Sequence, residues 1–317
     1  MLQYSFRAGA PAIPASGDRD VSQWVRYSAI RDRPRLRWPG GRRLALWICP
    51  NILHYEYLPP PDPWLNAWAR MEAPDVMGYG RQEYGGRVGF WRVLEVLDRL
   101  GVRPTAVLNT AALRVYPDIA AAIRERAWDI AGHGELNSRF IYGMPPEAEL
   151  ACYRRMLDDV EQATGVRMQG MGGPGPQAAT ENTPELLAQA GFSYYTDLFL
   201  DEQPVPMDVR GGRLLAMPYS VELNDSPVLG SAHEADHFAA IVRRQFDVLY
   251  RDAEDNGRVM CVSIHPVLFG QPHRIRHLQA ALEYVLSFDG VWHATGAEIA
   301  SWTLQELAGA PAQEGSA

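Results

Sequence analysis

Short apolar runs alternate along this chain with longer stretches in which apolar residues recur every three or four positions. "RLALWICPNI" (43–52) is a continuous apolar run of strand length and predicts a buried strand. "RVGFWRVLEVLDRLG" (87–101) has helical spacing, with Val88, Trp91, Leu94 or Val96, and Leu97 on the apolar face and Gly101 as the stop. "RPTAVLNT" then reads as strand, "YPDIAAAIRERAW" as a helix opened by Pro117, "DIAGHG" as a short strand, and "PPEAELACYRRMLDDVEQATG" as a helix ended by glycine. "QGMGGPG" is strand and loop, "TPELLAQAG" helix, "YYTD" and "LLAMPYS" strands, and "HEADHFAAIVRRQFDVLYRDAEDNG" a long helix. "VMCVSIHP" is a buried strand, "PHRIRHLQAALEYVLSF" a helix, and "VWHATGAEIASW" a last strand and helix.

Seven or eight strand–helix units with no compositional break predict an α/β protein built on one closed or nearly closed parallel barrel. An open doubly wound sheet is the alternative, but no GxGxxG follows the first strand, which weakens a dinucleotide reading. The expected organisation is an irregular Pro/Gly/Arg-rich arm over 1–40, a single catalytic barrel over 41–305 and a flexible tail over 306–317. The Trp- and Pro-rich segment 59–79 interrupts the alternation and suits an interface arm or a lid.

Composition narrows the function classes. The chain has 317 residues, 47% hydrophobic and 21% charged, enough for a full core, and a net charge of -8 argues against a nucleic-acid partner. "RDRPRLRWPGGRR" is the one basic cluster, and among Pro, Trp and Gly it reads as a solvated entry segment. Cys49, Cys152 and Cys261 are scattered and form no CxxC, so neither a disulfide framework nor a cysteine zinc site is indicated. No run approaches the ~18 apolar residues of a membrane span, and the N-terminus lacks a hydrophobic signal core. The expectation is a soluble cytoplasmic protein with no membrane partner.

In parallel barrels chemistry collects where strands end at their C-terminal edge. Those ends carry Asn51 and His54, Asn109, His133, the "GGPGP" loop at 172–176, Asp197, Tyr219 with Glu222, and His265. A single histidine at a strand end is more often a packing residue, but three converging on one rim point to an active site. His265 follows "VMCVSI" and precedes Pro266, so its ring leaves the sheet at the mouth, where it can protonate a leaving nitrogen. Glu83, Arg87 and Arg92 in "RQEYGGRVGFWR" flank two glycines that suit a tight turn, and could bind a polar substrate or pair with one another.

With these pieces in order, the sequence resembles the polysaccharide deacetylase (NodB-homology) superfamily, most closely the branch of metal-independent allantoinase and cyclic imide hydrolases. The resemblance runs through "RPRLRWPGGRRLALWICPNILHYEYLPP", "YGRQEYGGRVGFWRVLEVLDRLGVRPTAVLNTAAL", "DIAGHGELNSRF", "NTPELLAQAGFSYYTDLFLDEQP", "AMPYSVELND" and "SIHPVLFGQPHRIRHL" to "WHATGAEIASW", about residues 25–303. It implies a distorted (β/α) barrel of about seven strands, the NodB-homology fold, and a homo-oligomer. Metal-dependent members end the first strand in two aspartates, follow with His-x-x-x-His, and use a late histidine as acid. On this chain the paired carboxylates fall at Leu53 and His54, the two histidines at His133 and Asn137, and the late histidine at His265. Three of the five residue types are changed.

An amide oxygen is a poor zinc ligand and Leu53 supplies nothing, so no cofactor is expected; zinc or another divalent metal on His54, His133 and Asn137 is the alternative. The first functional hypothesis is hydrolysis of a non-peptide C–N bond in a cyclic amide, imide or ureide, a small-molecule substrate. His133 activates water, His265 protonates the departing nitrogen, and Glu56 or Glu135 replaces the carboxylate lost at Leu53. Asn51, Glu83, Arg87, Asn137, Asp197 and Glu222 are the expected substrate-binding residues. The second hypothesis is a metal-dependent deacetylase of an N-acetylated sugar or small amide. The third is a degenerate member that binds a ligand without turnover.

Overall fold

The computed structural model describes residues 21–58, 74–141, 143–174, 179–231 and 233–309. Most of the expected segment 59–79, most of the tail, the first half of the arm and part of the "GGPGP" loop lie outside them. Among the described residues no helix is long and apolar enough to cross a membrane.

The strands are β1 (Leu44–Ile52), β2 (Thr105–Leu108), β3 (Asp129–Gly132), β4 (Gly170–Met171), β5 (Tyr194–Tyr195), β6 (Val205–Met207), β7 (Leu214–Ala216), β8 (Arg258–Ile264) and β9 (Val291–His293). They form one curled sheet in the order β6-β7-β5-β4-β3-β2-β1-β8, with β9 also on β1. All pairings are parallel except β6 on β7. Between β6 and β8 irregular backbone replaces a strand. Val259 N donates to Glu202 O, Ser263 N donates to Leu223 O (both 2.8 Å), and Asn224 bridges Ser263. That substitution distorts the expected barrel.

β1 is long because it has partners on both sides, β8 along seven residues and, on the other edge, β9 at its start and β2 at its end. Its side chains alternate between two cores, as strand geometry requires. Leu44, Leu46, Ile48 and Ile52 pack outward under the helices, while Ala45, Trp47 and Cys49 point into the barrel. The same parity sends Val107, Ala131 and Cys261 inward. The lower barrel is plugged by Trp47 and Tyr194, whose rings meet edge-on at 5.9 Å. Gly170 makes room for this, since a Cβ there would lie 1.9 Å from the Tyr194 ring.

Two expectations change. The glycines at 85 and 86 do not turn the chain. The helix Val76–Tyr84 continues through a π-helical stretch, Gly85–Gly89, into the helix Phe90–Arg99. Glycine is needed there for closeness: a Cβ on Gly89 would sit 2.0 Å from the carbonyl oxygen of Pro266. The apolar face is also rotated, burying Phe90, Val93, Leu94, Val96 and Leu97 and leaving Trp91 39% exposed. The arm is in part structural, with Leu36 and Trp38 packed on the inner core and Trp38 Nε1 donating to Arg258 O at 2.9 Å.

Candidate active site

Continuing the inward parity past each strand end places Asn51 and Leu53, Asn109, His133, and Ser263 and His265 around the mouth of the barrel. His265 opens the short helix Pro266–Phe269, and its carbonyl accepts from Leu268 N and Phe269 N at 2.8 and 2.9 Å. Proline at the first helical position loses no bond there, so the His–Pro step fixes the ring's exit from the sheet. Its Nδ1 lies 2.6 Å from Asp225 Oδ1, and its backbone N donates to Asp225 Oδ2 at 2.8 Å. Asp225 is fully buried, and burial pushes its carboxyl above the usual range while His265 pulls the other way. The pairing commits Nδ1 to Asp225 and leaves Nε2 as the ring nitrogen that could meet a ligand. A narrow cavity beside the ring is lined by His265, Leu53, Ile52, Phe90 and Val267 together with the polar Asn51 and Gln82.

His133 follows β3 and is held through its backbone, its N donating to Leu108 O at 2.8 Å and its O accepting from Asn109 Nδ2 at 2.5 Å. Burial, and secondarily the nearby charge of His265, lower its pKa to about 3. It therefore stays neutral through the physiological range. The unfolded chain binds a proton near pH 6.5 that the folded chain refuses, so stability is complete above about 6.5 and falls as pH drops toward 3. His133→Asn is expected to flatten the fall of Tm over that interval; an unchanged profile would mean that other groups govern it.

Asn109, itself fully buried, also accepts from His54 N through Oδ1 at 2.9 Å, so one amide ties the ends of β1 and β3 together. The His54 ring turns away from that bracket, with Nδ1 3.3 Å from Tyr116 Oη and 3.9 Å from Glu83 Oε1. Tyr116 Oη donates to Glu83 Oε1 at 2.6 Å and Arg87 Nε donates to Glu83 Oε2 at 2.9 Å. Burial raises the Glu83 pKa, but these two partners together hold it below the usual value. Burial lowers that of His54. Glu83 is thus committed within the protein, while Arg87 is largely exposed.

The other expected residues divide. Asn51 donates to Ser263 Oγ at 2.8 Å and to Ile264 O at 3.3 Å, and accepts from Tyr219 Oη at 3.3 Å; Tyr219 Oη and Ser263 Oγ are 2.5 Å apart. This polar layer forms the floor beneath His265, and Asn51 is spent in it. Glu56 is gripped by Arg139 at 2.7 and 2.9 Å and by Ser138 Oγ at 2.9 Å. Burial would raise its pKa, but these contacts hold it low, so it is a poor base. Asp197 lies two residues past β5 and accepts from Gly173 N at 2.8 Å, and burial raises its pKa to about 7. Glu135 takes part through its carbonyl, which accepts from Ala111 N at 3.1 Å, and Glu222 is exposed.

A metal does not fit the residues present. Leu53 offers no donor atom, and Asn137, whose Nδ2 donates to Tyr55 Oη at 2.5 Å, offers only a neutral amide oxygen in place of an imidazole. Among the described residues no three His, Cys, Asp or Glu side chains come together in a group that could hold a metal ion.

Asp225 was not foreseen. In "SVELNDSPV" it looks like a capping residue, and Asn224 does cap the helix Asp225–Gly230 through Ser226 N at 3.0 Å. Only the bridge between Asn224 and Ser263 brings it beside His265.

No family model matches the chain. A curated protein of Schizosaccharomyces pombe described as "Putative polysaccharide deacetylase" is 29% identical over 244 residues, covering 70% of this chain and 74% of its own. The crystal structure of PuuE allantoinase superposes with a TM-score of 0.78 at 23% identity, covering 92% of this chain and 99% of its own. A probable polysaccharide deacetylase from Pseudomonas aeruginosa PAO1 gives 0.77 at 23% identity, covering 91% and 99%. A "putative polysaccharide deacetylase" from Mycobacterium smegmatis gives 0.74 at 25%, covering 89% and 98%. These likenesses bear out the expected fold and the resemblance read from the sequence.

Proposed function

From the premise that this chain is related in sequence and fold to proteins named polysaccharide deacetylase, and in fold to PuuE allantoinase, we propose that it hydrolyses a non-peptide C–N bond by opening a cyclic amide, imide or ureide. The observation that carries the reading is the His265–Asp225 pair at the barrel mouth, 2.6 Å apart, beside a histidine that stays neutral.

Asp225 accepting from Nδ1 leaves the lone pair of His265 on Nε2. Water adds to the ring carbonyl as Nε2 takes its proton, and Asp225 stabilises the imidazolium that forms. The same proton then passes from Nε2 to the ring nitrogen as the C–N bond breaks, giving a carboxylic acid and the opened amide or amine. Water activation is assigned to His265 rather than to His133, because a ring with a pKa of about 3 is too weak a base. As a neutral N–H donor, His133 is suited to polarise the carbonyl without surrendering a proton. A cyclic imide or ureide departs more readily than an acetamide, so this chemistry does not call for the metal that the donor set fails to fit.

The test is turnover of allantoin, simple hydantoins and cyclic imides by protein purified without chelator, repeated after chelation. Ring opening that survives chelation is the expected result. Activity that vanishes with chelator and returns with zinc, or deacetylation of an N-acetylated sugar in its place, would overturn the reading.

A further inference from the structure

We propose that the ring opened at this site carries an apolar or aromatic substituent, and that Phe199 receives it; this rests on the ring-opening reading above. Phe199 is at the apex of a three-residue turn just after β5, closed by Leu200 N donating to Leu198 O at 2.9 Å. Leu198 packs against the outer core, whereas Phe199 remains 40% exposed. Its ring centroid is 6.3 Å from that of Tyr219, with the planes inclined by 36°.

Tyr219 ties this position to the chemistry. Its hydroxyl meets Ser263 Oγ and Asn51 Oδ1, which precede His265 and Leu53 by two residues in the inward series. The exposed phenyl ring therefore stands beside the polar floor of the reaction site. Val221, two residues beyond Tyr219, is also 40% exposed. On the other side, Leu53 lines the cavity next to His265. A sugar is held by hydroxyl-directed polar groups. Among the side chains near the site, Phe199, Val221 and Leu53 present phenyl, isopropyl and isobutyl groups beside the polar ones. Those groups match a hydrocarbon substituent, whose transfer from water is the available source of selectivity.

A matched pair, succinimide and 2-phenylsuccinimide, tests this by both kcat/KM and calorimetric affinity. Burial of one phenyl ring predicts a preference for the aryl compound of about 10–100-fold in both measurements. Phe199→Ala is expected to collapse that ratio toward one, chiefly through KM, and Phe199→Leu to retain part of it. Thermal melting of both variants checks the fold. Equal affinity for the two rings, or an aryl preference that survives Phe199→Ala, overturns the inference. Aryl-selective binding that Phe199→Ala abolishes, with no turnover of either compound, keeps the cradle and refutes ring opening. Turnover without aryl preference does the reverse.

Discussion

Asp225→Asn is expected to lower kcat for a cyclic substrate by roughly a hundred- to ten-thousand-fold, with a much smaller change in KM. The volume is unchanged and the backbone bond from His265 N can still be accepted by the amide oxygen. What changes is the partner of Nδ1: an amide that presents N–H to the ring forces the proton onto Nε2. The imidazole then faces the substrate with a donor where the reaction begins with an acceptor, and the forming imidazolium loses its counter-charge. His265→Ala should remove activity at least as completely. Steady-state kinetics, alongside melting curves that show an intact fold, check the prediction. Asp225→Asn with kcat within a few fold of the parent would remove His265 from the base role.

Gly89→Ala is expected to destabilise the chain by about 1–3 kcal/mol or more, and to reduce kcat in whatever fraction stays folded. The new Cβ would lie 2.0 Å from Pro266 O and 2.7 Å from Pro266 C. These are backbone atoms, so a side-chain rotation cannot relieve the clash. Gly270 faces the same contact from the other strand of chain, where a Cβ would come 2.2 Å from Gly89 Cα. Two backbones thus touch directly, and the segment displaced begins with the residue after His265. Gly80→Ala is the control: it lies in the helix Val76–Tyr84 with nothing within 4 Å of its Cβ. There alanine is expected to stabilise by up to about 1 kcal/mol. Equal melting temperatures for the two variants would show that the π-helical stretch yields easily.

The sequence disclosed the strands with long or strongly apolar runs, and with them the ends that carry His133 and His265, because a continuous apolar run is a local property. It did not disclose β6, whose three residues include Pro206 and lie at an edge where hydrophobic patterning is weak. The double glycine was misread as a turn because glycine signals close approach and chain reversal with the same letter, and only the neighbouring Pro266–Gly270 backbone tells them apart. Asn51 looked available for substrate, but its partners Ser263, in β8, and Tyr219, just past β7, come from far along the chain. The same holds for Asp225: a carboxylate's partner is set by a bridge between distant segments, which no local window contains.

The position of β1 has a consequence for how the chain reaches this state. Its neighbours on one edge and half of the other, β8 and β9, are among the last strands to be made, and the buried thiols of Cys49 and Cys261 that meet across β1 and β8 are 212 residues apart in the chain. A nascent chain leaving the ribosome therefore carries β1 with its β8 edge open, and only its last residues able to pair with β2, until nearly all of the protein has been synthesised. Non-local pairing of this kind slows folding and leaves an aggregation-prone edge open meanwhile. Strands β2 to β5 can pair in the order they are made, but the sheet is completed only when β8 arrives beside β1, and β8 is the strand that His265 follows.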